Sequence, residues 1–185
     1  MSLQSSTNTD LGLILASLEF AARKHRDQRR KDTNASPYIN HPIGLAGVLC
    51  IEARITDPVV IASAILHDTV EDTDTTRQEL GSAFGEQIAA IVMEVTDDKT
   101  LRKSVRKRLQ VEYAASLSHE AKLVKLADKI CNIRDMNACP PAGWELERRR
   151  EYFDWAKSVV DQLRGTHSLP RDGAPSWLVY FLSGA

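Results

Sequence analysis

The chain has 185 residues, and its 24 Lys and Arg nearly cancel its 25 Asp and Glu, leaving a formal charge of −1. Gripping nucleic acid usually calls for a clear basic excess, so this balance speaks against that class. The longest apolar run, roughly Pro58 to Leu66, is about half of what a membrane-spanning helix needs, and a chain of this length suits one domain that needs no staples.

In chain order, residues 1–9 are Ser/Thr/Asn-rich and read as a frayed, peripheral end. The opening MSLQSSTNTD lacks the charged-then-apolar pattern of a signal peptide, which sets a cytoplasmic location as the expectation. Asp10 is a candidate N-cap for a helix to about Gln28, with Leu11, Ile14, Leu15, Leu18 and Ala22 on one face. RRKDTNASPYIN reads as a loop. Asn40-His41-Pro42 opens a helix to about Ala53, and Asp57-Pro58 opens another. That next segment, VVIASAILHDTVED, is apolar almost all round up to His67 and therefore buried. Helices are also expected over 75–84, 86–96, 102–116, 119–137 (capped by Ser118 and stopped by Pro140-Pro141) and 145–164. The terminal SWLVYFL is apolar and is expected to dock as a short element. Gly (9) and Pro (7) are scarce, which also favours helices over strands joined by tight turns. The prediction is a single all-α domain over residues 1–185 with about eight helices, a core over 19–165 and peripheral ends. Cys50, Cys131 and Cys139 form no C-x-x-C pair and read as free thiols.

The informative feature is His67-Asp68, a polar pair closing an apolar helix. Buried ionisable groups are costly unless paired or bound to a metal. Glu71 and Asp72 follow four residues after them, one helical turn on. Acids packed this closely, Asp74 among them, repel one another unless a cation sits between them. A divalent metal answers that need; an acidic helix end relaxing into solvent is the plain alternative. Farther on, KLVKLADKICNIRDM places Asp128, Asn132 and Asp135 on one stripe and Leu123, Leu126 and Ile130 opposite. Lys122 and Lys129 share a third arc, with Lys125 between. Carboxylates with flanking lysines suit a metal and a phosphate together, though a solvated helix face would look the same. His41, preceded by Tyr38, gains meaning only as a partner for these groups.

The set His41…His67-Asp68…Asp128 resembles the HD metal-dependent phosphohydrolase superfamily. RRKDTNASPYINHP, AILHDTVEDT, VTDDKT, KRLQVE and AKLVKLADKICNIRDM are similar to the hydrolase domain of the RelA/SpoT group, and most of all to its short stand-alone members, the metazoan SpoT homologues or small alarmone hydrolases. The resemblance covers roughly Glu19 to Trp155 and has no counterpart of the group's synthetase domain. It implies that His41, His67, Asp68 and Asp128 hold one Mn²⁺, and that Glu71 and Asp72 orient and activate the attacking water. It further implies that Arg30 and Lys31 contact the base, that Tyr38 and Asn132 line the nucleoside pocket, and that Lys103, Arg148 and Tyr152 add phosphate and ribose contacts. Two imidazoles and two carboxylates suit Mn²⁺, Fe²⁺ or Zn²⁺ alike; Mn²⁺ comes from the resemblance alone.

The implied activity is removal of the 3′-pyrophosphate of (p)ppGpp, giving GDP or GTP and pyrophosphate. Other readings are phosphomonoester hydrolysis on another nucleotide, such as the 2′-phosphate of NADPH, and a metal-bound sensor without turnover, against which the Glu71-Asp72 pair argues. The expected partner is a small nucleotide, with no nucleic acid or membrane, and the oligomeric state stays open. Of the basic run Arg23–Lys31, only Arg30 and Lys31 carry a functional expectation; Arg23, Lys24, Arg26 and Arg29 read as solvated. His25, His119 and His167 read as surface residues, Thr96–Lys99 as a helix stop and loop beside the pocket, and Trp144, Phe153 and Trp155 as core.

Overall fold

The computed structural model describes residues 9–166, so the apolar segment near the C-terminus lies outside the described residues. The described residues are helical, in the order α1 (Asp10–Lys24), α2 (Asn40–Gly47), α3 (Pro58–Leu66), α4 (Thr69–Asp72), α5 (Arg77–Phe84), α6 (Glu86–Val95), α7 (Lys103–Ala114), α8 (His119–Ala138) and α9 (Leu146–Asp161). Eight of these run eight residues or more, as expected, and α4 is a single turn. Among the described residues the extended pairing is one isolated bridge, Arg29 with Pro37.

The fold is organised around α3. Asp57 caps it, its carboxylate accepting the N–H of Val59 at 2.8 Å, and Pro58 occupies the first turn. Every residue from Val60 to Leu66 is buried, because α3 packs against α1, α2, α6 and α8. One of its faces, with Val60 and Ala64, joins a core with Leu123, Val124 and Ile130 of α8 and Val159 and Val160 of α9. The other, with Ile61, Ile65 and Leu66, meets Phe20 and Ala21 of α1, Leu80 of α5, and Ile88 and Val92 of α6. A helix with two cores has no face left for water, which is why its sequence is apolar all round.

Three expectations are corrected here. Thr9, not Asp10, caps α1, its hydroxyl accepting from Gly12 N at 3.0 Å, and α1 ends at Lys24 rather than Gln28. Its buried face is Ala16, Ser17, Phe20 and Ala21; of the expected stripe, Ile14 and Leu18 pack against the second core, whereas Leu11 and Leu15 are 65% and 55% exposed. Phe20 and Ala21 of that face enter the second core beside Ile61 and Ile65 of α3. The segment after Gly47 continues as a π-helical turn, Val48–Glu52, tied to α8 by the two-pronged pair of Arg134 with Glu52 at 2.7 and 2.8 Å.

The chain between α1 and α2 places the site. Tyr38 N donates to Gln28 O at 3.1 Å and Arg30 N to Ser36 O at 2.8 Å, so the excursion returns on itself. Asp32 holds its tip, accepting the N–H of Asn34 and of Ser36 at 2.9 and 3.1 Å. His41 is thereby fixed in the first turn of α2, against α3 and α8.

Candidate metal centre and active site

The expected continuous helix through His67 is broken. The Thr69 hydroxyl donates to Leu66 O at 2.7 Å, ending α3, and α4 restarts at Thr69. His67 and Asp68 therefore stand in a kink between two helices. His67 Nδ1 donates to Ala64 O at 2.8 Å, which leaves Nε2 facing the Asp68 carboxylate. His41 Nε2 lies 3.3 Å from Asp128 Oδ1. One ligand atom each from His41, His67 and Asp128 fall within 4.8 Å of one another. Asp68 Oδ2 is 2.9 Å from His67 Nε2 and accepts a hydrogen bond from the Tyr38 hydroxyl.

This donor set fits a divalent metal. His67 Nε2 is buried and its near neighbour is the Asp68 carboxylate at 2.9 Å, so a ring nitrogen and carboxylate oxygens converge on one point with His41 and Asp128. Two imidazoles with carboxylates match ions of intermediate hardness. Burial works against ionisation of Asp128, but the Lys129 ammonium at 2.9 Å and the His41 imidazole outweigh it and hold the carboxyl well below its usual range. Burial opposes ionisation of Asp68 too, and the His67 and His41 imidazoles likewise depress it. Burial and the Asp68 charge push the Tyr38 phenol upward, so it stays protonated and donates.

Glu71 and Asp72 have different surroundings. Burial pushes Glu71 up to about 6, against the N–H of Asp97, which donates to Oε2 at 3.0 Å. Arg106 is 3.5 Å from Glu71 and 3.7 Å from Asp97. Asp72 accepts from Gln28 Nε2 at 2.8 Å and pairs with Lys99. Asp74 does not join them: it turns out to Lys24 at 2.9 Å, so Lys24 is ion-paired rather than simply solvated.

These groups line a cleft of about 240 Å³, whose walls also carry Lys103, Arg106, Lys107, Lys125 and Lys129, with Trp144, Tyr152 and Trp155. A chamber of about 820 Å³ adjoins it and shares Arg30, Tyr38, His41, Asp72, Lys103, Asn132, Trp144 and Tyr152. Of the predicted substrate contacts, Arg30, Tyr38, Lys103, Asn132 and Tyr152 line both spaces and Lys31 the larger one. Arg148 lines neither; its guanidinium lies 4.2 Å over the Trp144 ring. Asn132 donates to Asp128, and Asp135 pairs with Arg30, so the α8 stripe is shared between metal centre and chamber.

Several cleft residues went unread in sequence. Arg106, Lys107 and Gln110 share one face of α7 with the predicted Lys103, and their helical spacing was a usable signal. Lys99 and Gln28 offered none. Trp144, expected in the core, forms cleft wall, while Trp155 packs against the first core as expected and also faces the cleft, with Lys107 and Lys129 at 4.6 and 4.5 Å over its ring. His25, expected at the surface, is 2% exposed.

The HD domain profile matches residues 17–154. The chain belongs to the HD domain family. Within that family it is 58% identical over 156 residues to guanosine-3′,5′-bis(diphosphate) 3′-pyrophosphohydrolase MESH1 of Danio rerio, covering 84% of this chain and 87% of that one. It is 60% identical to the protein of the same name from Homo sapiens, over 83% and 86% of the two chains. A solved structure, described as a metazoan orthologue of SpoT that hydrolyses ppGpp, superposes with a TM-score of 0.82 at 52% identity, over 84% of this chain and 88% of that one. No helix among the described residues of this HD domain chain is long and apolar enough to cross a membrane.

Proposed function

We propose that this chain is a single-domain, Mn²⁺-dependent guanosine-3′,5′-bis(diphosphate) 3′-pyrophosphohydrolase, converting (p)ppGpp and water to GDP or GTP and pyrophosphate. The observation that carries the reading is the position of Glu71, half-buried and pushed up to about 6, in the same cleft as the His41, His67 and Asp128 donors.

His41, His67, Asp68 and Asp128 are the proposed metal ligands. When bound, a divalent ion acidifies water and polarises the phosphoryl group it touches. Glu71 accepts the proton of the attacking water, and its raised pKa leaves it ionised yet basic near neutral pH. Asp72, held by Gln28 and Lys99, orients the same water. Lys103, Arg106, Lys107 and Lys129 place positive charge where the phosphate oxygens gather it. Burial and neighbouring cations lower Lys103 and Lys107, a cost that an incoming polyanion relieves. Arg30 and Lys31 with Tyr38, Asn132 and Tyr152 wall the larger chamber, which suits a nucleoside. Arg148 contributes through Trp144.

Purified protein with Mn²⁺ and ppGpp is expected to release pyrophosphate and GDP in equal amounts. A panel with pppGpp, NADPH and common mononucleotides ranks substrates. Absence of pyrophosphate release from ppGpp with every divalent metal tested would overturn the reading, and preferred release of inorganic phosphate from NADPH would replace it with the phosphomonoesterase alternative.

A further inference from the structure

His25 caps the C-terminal end of α1 and has no role in the proposed chemistry. It is nonetheless buried to 2% exposure, and burial lowers its pKa, so the neutral ring is the form to consider. Its Nδ1 is 2.6 Å from Gln28 Oε1. The other end of that amide, Nε2, donates to Asp72 Oδ2 at 2.8 Å. The His25 ring also lies 4.8 Å from the Tyr38 ring at an interplanar angle of 35°, and the Tyr38 hydroxyl donates to Asp68.

The donor and acceptor arithmetic leaves one arrangement. An ionised carboxylate only accepts, so the Gln28 amide must present its N–H₂ to Asp72. Its oxygen then faces His25, and an amide oxygen also only accepts. His25 Nδ1 must therefore carry the proton. The reversed amide would set Oε1 against the Asp72 carboxylate, two acceptors face to face. His25 Nε2, buried without a partner among the described residues, is the atom left bare by this choice.

We propose that His25 is a positioning residue, whose Nδ1–H fixes the Gln28 amide so that its N–H faces Asp72 while the ring backs Tyr38 behind Asp68. The groups around it are Gln28, Tyr38, His67, Asp68 and Asp72. The kinetic part rests on the reading that Asp72 serves the attacking water; the tautomer does not.

The test has two arms. In protein labelled with ¹⁵N-histidine, long-range proton–nitrogen correlation reads the tautomer without turnover, with His25→Asn assigning the signal. His25 is expected as the neutral Nδ1–H form at about pH 8, and Gln28→Met is expected to release that preference. An Nε2–H ring or an imidazolium in wild type overturns the proposal, whether or not the protein hydrolyses any nucleotide. In the kinetic arm, His25→Phe keeps the ring stack and removes the donor. His25→Phe and Gln28→Met are each expected to lower kcat about tenfold with KM within about twofold. The double variant is expected to lose no more than Gln28→Met alone, and His25→Asn, with an amide N–H near the Nδ1 position, to recover most of kcat. Wild-type kcat in His25→Phe, multiplying losses in the double variant, or no recovery with His25→Asn overturns it. If His25→Phe does not fold, Gln28→Met and the tautomer still decide.

Discussion

The backbone N–H of Asp97 donates to Glu71 Oε2 at 3.0 Å, so the loop after α6 holds the carboxylate proposed as the base. That bond favours the ionised form, yet burial outweighs it and Glu71 sits at about 6. Activity is therefore expected to fall as pH drops through about 6, because a protonated Glu71 cannot accept the water's proton. A kcat profile over this range checks it; a flat profile removes Glu71 as the base.

Glu71→Gln is expected to retain metal and lose turnover by at least about 10²-fold. The same substitution is expected to stabilise the fold at neutral pH. A raised carboxyl binds its proton more tightly folded than unfolded, so its contribution is greatest below the unfolded value and is lost as pH rises through about 6. Removing the charged form returns about 1–2 kcal/mol above that pH. Thermal unfolding at pH 7 and 4 tests the sign: the variant's advantage should shrink at the lower pH.

Asp128→Ala is expected to abolish metal binding, measured by elemental analysis of dialysed protein. Chelation of the wild type is expected to lower its unfolding temperature, since an ion bound only by the folded state stabilises it. Full metal content in Asp128→Ala would show that the ligand set is wrong.

Arg106→Met is expected to lower kcat/KM about 10- to 100-fold, because the guanidinium lies 3.5 Å from Glu71 in the cleft proposed to take the phosphates. Steady-state kinetics at fixed metal checks this, and wild-type kcat/KM would place the phosphate elsewhere.

Leu66→Ala is expected to cost about 2–5 kcal/mol. Leu66 is fully buried beside Phe20, Leu80 and Val92, directly before His67. Denaturant unfolding gives the loss; a cost under about 1 kcal/mol would mean that the second core collapses around the gap.

The all-α class, most element positions and the two halves of the donor set were legible in the sequence. Helix starts are written locally: Asp57-Pro58 and Ser118 cap as read. The His67-Asp68 pair stood out because an apolar helix ended on two ionisable groups, and Asp128 because helical spacing fixes which residues share a face. The kink at Thr69, the rotated face of α1 and the burial of His25 were not legible, since each depends on what packs across from it. Thr69 reads as a helix residue until its hydroxyl takes Leu66 O, and His25 as one more member of a basic run until the 28–38 excursion covers it.

What the sequence determined by itself is therefore the set of donor types and their spacing along each helix, which the 3.6-residue period turns into faces. What the tertiary structure decided is the environment of each donor. It joined Lys99 and Gln28 to Asp72, turned Asp74 away to Lys24, set Arg106 beside Glu71 and buried that carboxylate. Spacing is a local property of the backbone, whereas desolvation and charge pairing depend on segments far apart in the chain, and those set which acid is a base and which is held by its neighbours.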